Sequence, residues 1–343
     1  MVIARHTDRS DDGAGFGMKN LVSSLLDAGV VPGFSRIGYV VRARLNNWED
    51  VSASELSGQV IVITGPTSGL GLETARMLAP TGAQLVLVAR NAVKLATVVD
   101  ELMPLCTGPV PVSVVAEMGN LRAVAAAART IVEQFPRINA VVHNAGALLS
   151  GYEVSAQGHE QTIASHVLGP HLLTHLCLPA LRPVHGRVIT VSSGGMYTMD
   201  LPKIVGTRTL EMHPDKFDGT KQYAIAKRAQ VTLNEMWAQR ESEVEFAAMH
   251  PGWADTPGVR DSLPGFQKVT RPILRSAREG ADTIAWLCAV RVIPGKNGSF
   301  WSDREIRSIH KLPSTRRADT TESRVNLWNW CDEAITPFMS DPN

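Results

Sequence analysis

From Gly58 onward, short runs rich in β-branched residues alternate with longer stretches at helical spacing, and nothing else in the chain restricts its fold as much. The runs VIVIT (60–64), QLVLVAR (84–90), PVSVVAE (111–117), NAVVHNA (139–145), RVITVSS (187–193) and EFAAMHP (245–251) read as strands. Between them lie helix candidates such as GLETARMLAPTG and the stretch around 121–135. Strands apolar on both faces and separated by helices imply a parallel sheet covered on each side. The expected fold class is therefore α/β, a doubly wound parallel sheet with right-handed crossovers.

The stretch VITGPTSGLGLETA (62–75) places three glycines, Gly65, Gly69 and Gly71, where the first strand hands over to a helix. Unpaired helix N–H groups, the helix dipole and absent side chains together let a diphosphate approach the backbone there. The spacing is TGxxxGxG and no Lys follows, so a grip on a γ-phosphate is not expected and a dinucleotide fits better. The end of the second strand selects the dinucleotide. A carboxylate about 20 residues beyond the glycines would bind a ribose 2′-OH, whereas Arg suits a 2′-phosphate. Here stand Arg90 and Asn91, with Lys94 one helical turn on, which favours NADP(H) and leaves NAD(H) as the alternative.

Far downstream, YAIAK sets Tyr223 and Lys227 four residues apart, on one face of a helix. A neighbouring ammonium and an oxidised nicotinamide both favour phenolate, so Tyr223 is expected to trade a proton at neutral pH. Ser193 closes RVITVSS at the carboxyl end of a strand, where open α/β sheets place ligands, and can hydrogen-bond a substrate oxygen. Strand-end capping is its plainer use, although Ser192 is expected to do that. Asn144, Ala145 and Gly146 in HNAG end the fourth strand beside the cofactor path.

Composition excludes other classes. The 343 residues are 44% hydrophobic and 20% charged, enough for a full core, and the net charge of +1 offers nothing to nucleic acid. Cys106, Cys177, Cys288 and Cys331 are far apart, and no His is expected at metal-ligand spacing, so neither a metal site nor a disulfide framework is expected. The N-terminal residues lack the apolar stretch of a secretory signal and no run is long enough to span a membrane. A reducing, cytoplasmic setting fits. Residues 1–16 read as a disordered tail and 17–57 as a helical extension. Within 17–46, Arg36, Arg42 and Arg44 among apolar residues suggest either a helix packed on the domain, the preferred reading, or contact with a membrane surface. Residues 58–304 form the expected domain, and 305–343 a tail whose stretch TTESRVNLWNWCDEAI reads as an amphipathic helix.

The ordered set of TGxxxGxG at 64–71, NAG at 144–146, Ser193, YxxxK at 223–227 and HPGWADT at 250–256 resembles the short-chain dehydrogenases/reductases. The resemblance implies a Rossmann-type fold and a cofactor site built also from Thr67, Ser68 and Leu70. It further implies that Lys227 holds the nicotinamide ribose, that Pro251, Gly252 and Thr256 embrace the carboxamide, and that Glu117 sits where an Asp usually meets adenine. Family members often pair as dimers or tetramers, so a homo-oligomer is an open expectation.

Two departures stand out. His166 falls where the family usually places an Asn that supports the proton path; an imidazole there could relay protons, add a pH dependence near 6.5, or mark an impaired relay. The interval from Ser193 to Tyr223, 30 positions, is longer than in compact members and reads as a loop. Met196, Tyr197, Met199 and Leu201 from it, with Val259, Leu263, Pro264 and Phe266, are expected to line an apolar cleft or to form a minor hydrophobic cluster. The resulting expectation is an NADP(H)-dependent oxidoreductase for a small hydrophobic carbonyl or alcohol, with Ser193, Tyr223, Lys227 and His166 catalytic. The alternative is an NADP-binding scaffold or redox sensor with little turnover, possibly at a membrane surface.

Overall fold

The computed structural model describes residues 30–206, 209–262 and 264–340. Strands β1 (Val60–Thr64), β2 (Gln84–Ala89), β3 (Val112–Val115), β4 (Ala140–His143), β5 (Arg187–Val191), β6 (Glu245–Met249), β7 (Phe300–Ser302) and β8 (Glu305–Arg307) make one sheet in the order β3-β2-β1-β4-β5-β6-β7-β8. All pairs are parallel except β7–β8. This is the expected doubly wound α/β fold, with its strand order reversing between β1 and β4.

Strand alternation divides the core into two layers. Val62, Val86, Val141 and Val188 pack on one face, and Ile61, Ile63, Leu87 and Ile189 on the other. The covering helices include α1 (Arg36–Leu45), α2 (Gly69–Leu78), α3 (Ala92–Leu102), α4 (Leu121–Gln134), α5 (Gly169–Leu181), α6 (Gly219–Arg240), α7 (Ala277–Ala289) and α8 (Thr321–Ile335). Their starts follow from local chemistry. Asn91, Asn120, Asp218, Ser276 and Thr320 each accept a backbone N–H at the first turn of α3, α4, α6, α7 and α8. Ser68, which precedes α2, makes no such bond.

Within the described residues the N-terminal extension packs on the domain. Phe34 is buried and its ring stacks on His250 at 4.6 Å. Arg42 is 1% exposed and donates to Asp303 at 2.6 Å, and Arg275 holds the same carboxylate through two bonds. Asp303 and Arg304, at φ +54° and +53°, are the central residues of the tight β7–β8 turn. Of the three arginines suggested for a membrane face, Arg42 is thus buried, Arg36 pairs with Glu279 at 2.9 Å, and Arg44 is exposed. No helix among the described residues is long and apolar enough to cross a membrane. Residues 1–29 lie outside the described chain.

The interval after Ser193 is largely irregular in its described residues, as its Pro and Gly content suggested, but it is packed on the domain. A short 3₁₀ helix over Gly194–Thr198 begins it, Met196 and Tyr197 are buried with Phe34 and Phe300, and Leu201, Ile204 and Leu210 join the main core. Arg228 of α6 donates to the carbonyls of Met196 and Met199, tying the segment to the site helix. At the other end of the chain, Trp328 of α8 packs edge-on against Trp237 of α6 at 4.9 Å.

Candidate active site

The carboxyl ends of β1, β4, β5 and β6 meet the start of α6, and this is where the motif residues converge. Gly65 and Gly69 adopt left-handed φ of +68° and +56°, which side-chain-bearing residues rarely take. A Cβ on Gly65 would lie 2.8 Å from the Ala145 Cα, and one on Gly71 would lie 2.2 Å from the Gly65 carbonyl oxygen. The Asn144 amide donates to the carbonyls of Thr64 and Gly65, each at 3.0 Å. Asn144 therefore stitches the end of β4 to the glycine turn. Thr256 comes to the same place, since a Cβ on Gly69 would sit 3.3 Å from the Thr256 Cβ. The Leu70 side chain reaches α7 at Gly280, while half-buried Thr67 and exposed Ser68 stay at the rim. With no side chain capping α2, its first N–H groups remain available to an anion. Glycine cradle, uncapped helix and adjoining threonine together fit a dinucleotide diphosphate.

At the adenine end, Arg90 is 76% exposed and pairs with Glu117 at 3.3 Å. Asn91 spends its side-chain oxygen on the N–H of Lys94. Pro251 and Gly252 are held from behind. Arg275 donates to the Pro251 carbonyl, and a Cβ on Gly252 would strike the Arg275 guanidinium at 2.5 Å and the Phe34 carbonyl at 2.6 Å. Gly252 also has a left-handed φ of +72°, so both its backbone and the close approach of Arg275 and Phe34 call for glycine there.

Ser193, Tyr223 and Lys227 come together as expected. Ser193 lies near enough to the Tyr223 phenol to favour its charged form, and the Lys227 Nζ lies 5.3 Å from the phenol ring centroid. Lys227 is 4% exposed and donates to the Val191 carbonyl at 2.8 Å. Burial pushes its ammonium down to about 7. Burial also pushes the Tyr223 phenol up, against the smaller opposite pull of Ser193. The lowered phenol anticipated from an adjacent ammonium together with an oxidised nicotinamide is not what the ammonium alone produces. Desolvation disfavours both charged forms, so in the protein alone it outweighs their attraction. The capping expected of Ser192 falls instead to Ser193, which accepts the Gly195 N–H at 3.3 Å, whereas Ser192 donates to the Lys227 carbonyl.

His166 stands beside Tyr223, its ring perpendicular at 5.4 Å, in a π-helical turn over Ala164–Leu168 just before α5. Such turns often mark functional sites. Burial, then the Lys227 charge, hold the imidazole well below 6.5, so a titration near neutrality is not what the buried ring provides. Its Nε2 lies 3.1 Å from the Ala147 N–H and 3.0 Å from the Ala147 carbonyl. Gly146 is a glycine because this ring is there: a Cβ would come within 2.3 Å of it.

Of the two expectations for the apolar residues after Ser193, a cleft lining or a hydrophobic cluster, the cluster is what Met196 and Tyr197 form. Met196, Tyr197 and Leu201 are core residues, and Met199 packs against that core. Leu263 and the side chains of Val259, Pro264 and Phe266 lie outside the described residues.

The structure also gathers residues the sequence reading passed over. His171 and His175 fall four apart on α5, at ligand spacing after all, and Asp332 of α8 meets them. The hydrogen bonds argue against a metal. The Trp237 indole N–H donates to His171 Nδ1 at 3.1 Å, so the neutral ring carries its proton on Nε2 and gives it to Asp332 at 2.8 Å. Burial lowers His171 to about 4, which keeps that ring neutral. The i,i+4 histidines were the available signal.

Comparison with known proteins agrees with this geometry. A sequence profile of short chain dehydrogenases matches residues 59–201. The chain is 34% identical over 273 residues to human dehydrogenase/reductase SDR family member 12, covering 78% of this chain and 84% of that one. Among solved structures, a protein from Mycobacterium paratuberculosis superposes with a TM-score of 0.65 at 21% identity, covering 84% and 97% of the two chains. A short chain dehydrogenase from Shigella flexneri, solved in complex with NADP, gives a TM-score of 0.57 at 22% identity over 74% and 99%. Motif order, fold and relatives converge: the chain belongs to the short-chain dehydrogenase/reductase family of NAD(P)-dependent oxidoreductases.

Proposed function

We propose that this protein moves a hydride between NADP(H) and a hydrophobic carbonyl or alcohol, with Ser193, Tyr223 and Lys227 as its catalytic group. The observation that carries the reading is the convergence of Ser193, Tyr223 and buried Lys227, whose Nζ lies 5.3 Å from the phenol ring, at the strand ends that front the glycine turn. A bound nicotinamide supplies or takes the hydride. Tyr223 gives its phenolic proton to the carbonyl oxygen in reduction and takes the alcohol proton in oxidation. Ser193 orients that oxygen and stabilises charge developing on it. Lys227 biases the phenol toward phenolate when positively charged and holds the ribose. His166, neutral, steadies Tyr223 from behind.

The uncapped start of α2 with Gly65, Gly69 and Gly71 would hold the diphosphate, backed by Asn144 and Ala145. Arg90 would exchange Glu117 for a ribose 2′-phosphate, the basis for preferring NADP(H). The half-buried Leu148, Leu149 and Trp253 flank the site through their neighbours Ala147 and Gly252, and support an apolar substrate.

Purified protein mixed with NADPH and a panel of ketones, followed by nicotinamide absorbance, tests the reading. Tyr223→Phe should lower turnover by about 10²-fold or more while NADPH binding changes little. Turnover unchanged by that substitution would overturn it. Arg90→Asp should weaken NADPH binding about tenfold more than NADH binding, and an unaltered ratio would remove the NADP(H) preference.

A further inference from the structure

His166 borders a cavity of about 30 Å³. That volume suits one or two water molecules and no larger ligand. Its wall includes His143, His166, Gln230 and Asn234, exposed by only 3%, 1%, 5% and 3%. Each of the four spends one polar atom within the protein. His143 Nε2 meets the Thr174 hydroxyl at 2.8 Å, and His166 Nε2 meets the backbone of Ala147. Gln230 Nε2 donates to the His166 carbonyl at 2.7 Å, and Asn234 Nδ2 donates to the Gly298 carbonyl at 2.8 Å. Each is left with one buried polar atom that has no partner: His143 Nδ1, His166 Nδ1, Gln230 Oε1 and Asn234 Oδ1. Four such atoms around one small cavity are costly unless something pairs them.

We propose that this cavity is a built water site, and that the water it holds sets the tautomer of His166. The two amide oxygens only accept, so water gives its two protons to Gln230 and Asn234. Its lone pairs then need donors, and the donors on hand are the Nδ1–H groups of His143 and His166. That assignment leaves both Nε2 atoms as acceptors. His166 Nε2 therefore takes the Ala147 N–H rather than giving a proton to the Ala147 carbonyl, and His143 Nε2 takes the Thr174 hydroxyl proton. The hydrogen bond to Ala147 N–H pins the strand-end segment Asn144–Ala147, which ties the glycine turn to the ring packed against Tyr223. His166 is then a positioning residue with a fixed proton. A cation is disfavoured, because no carboxylate lines the cavity and the Lys227 charge already acts on His166.

The test uses the full chain labelled with ¹⁵N, whose imidazole nitrogens are read by long-range proton–nitrogen correlation, together with a high-resolution crystal structure. The expected result is Nδ1–H with bare Nε2 for both His143 and His166 from pH 6 to 8, and a water within hydrogen-bond distance of at least three of the four unpaired atoms. A dry cavity, a metal ion held by the two imidazoles, or Nε2–H on His166 would each overturn the proposal. Asn234→Leu removes one acceptor and fills the space; it should mix the His166 tautomers and lower kcat about tenfold with the cofactor KM within about twofold. Asn234→Ser, which keeps an acceptor, should restore both. Unchanged tautomers in Asn234→Leu would count against the proposal, and if that variant does not fold, the unmodified chain still decides it. The kcat effect rests on the reading of Tyr223 as proton donor, whereas the tautomers do not. Should Tyr223→Phe keep full turnover while the tautomers are as expected, the catalytic reading fails and the water site stands.

Discussion

Two buried sites of positive charge, one a single lysine and the other a pair of arginines, lie near the carboxyl end of the same sheet, and they have opposite characters. Lys227 is 4% exposed and bonded to a neutral carbonyl, with no carboxylate partner among the described residues. Arg42 and Arg275, each 1% exposed, share the carboxylate of Asp303. The outcome follows from the partners. Burial alone lowers Lys227 to about 7, poised to gain or lose a proton at physiological pH. At Asp303 burial pushes upward, yet Arg275 and Arg42 outweigh it and hold the carboxyl below its ordinary range. A buried cation without a counter-ion is a titrating group suited to chemistry; one with a counter-ion is a fastening, here of the extension to the β7–β8 turn.

The largest effect should come from breaking the fastening. Asp303→Asn keeps the shape and tolerates the left-handed backbone but strands two buried guanidinium groups, so chemical denaturation should show a loss of about 3–5 kcal/mol. A loss under about 1 kcal/mol would erase the distinction between the two sites. Lys227→Met should act in the opposite direction on stability while abolishing turnover. Because the folded pKa of Lys227 lies below its ordinary 10.5, the unfolded chain binds the extra proton between those values, and the parent gains stability as pH rises from about 7 to about 10. The variant should therefore melt higher than the parent at pH 6, with the advantage shrinking toward pH 10. An advantage independent of pH would mean Lys227 does not carry the burial penalty. The smallest effect belongs to Arg36→Ala, since an ion pair in which Arg36 is 62% exposed should contribute at most about 0.5 kcal/mol. A larger loss by thermal melting would show that the extension is held by its rim as much as by Asp303.

Much of the scaffold was legible because it is written in local periodicity. Ile61, Val62 and Ile63 alternate between two core faces as a strand buried on both sides must, and Tyr223 and Lys227 share a helix face by spacing alone. The interval from Gly194 to Gln222 was legible as a loop but not as to what its apolar residues pack against. Pro and Gly reported where the backbone bends, but Met196, Tyr197 and Leu201 look the same in a cleft lining and in a core. His171 and His175 carry a local signal in their i,i+4 spacing, whereas Asp332, which completes the group, arrives from a helix 157 residues beyond His175 and has none. His166 packs beside Tyr223, but its neutrality depends on burial and on Lys227, neither of which is local.

The residue order by itself determined the strand–glycine–helix unit, the doubly wound sheet and the tyrosine–lysine face, since each follows from interactions within a few residues. Only the tertiary structure decided that Arg42 would meet Asp303 across 261 positions while Lys227 would meet no carboxylate. A buried charge keeps or loses its proton according to what surrounds it in space, and in this chain those surroundings are assembled from distant segments.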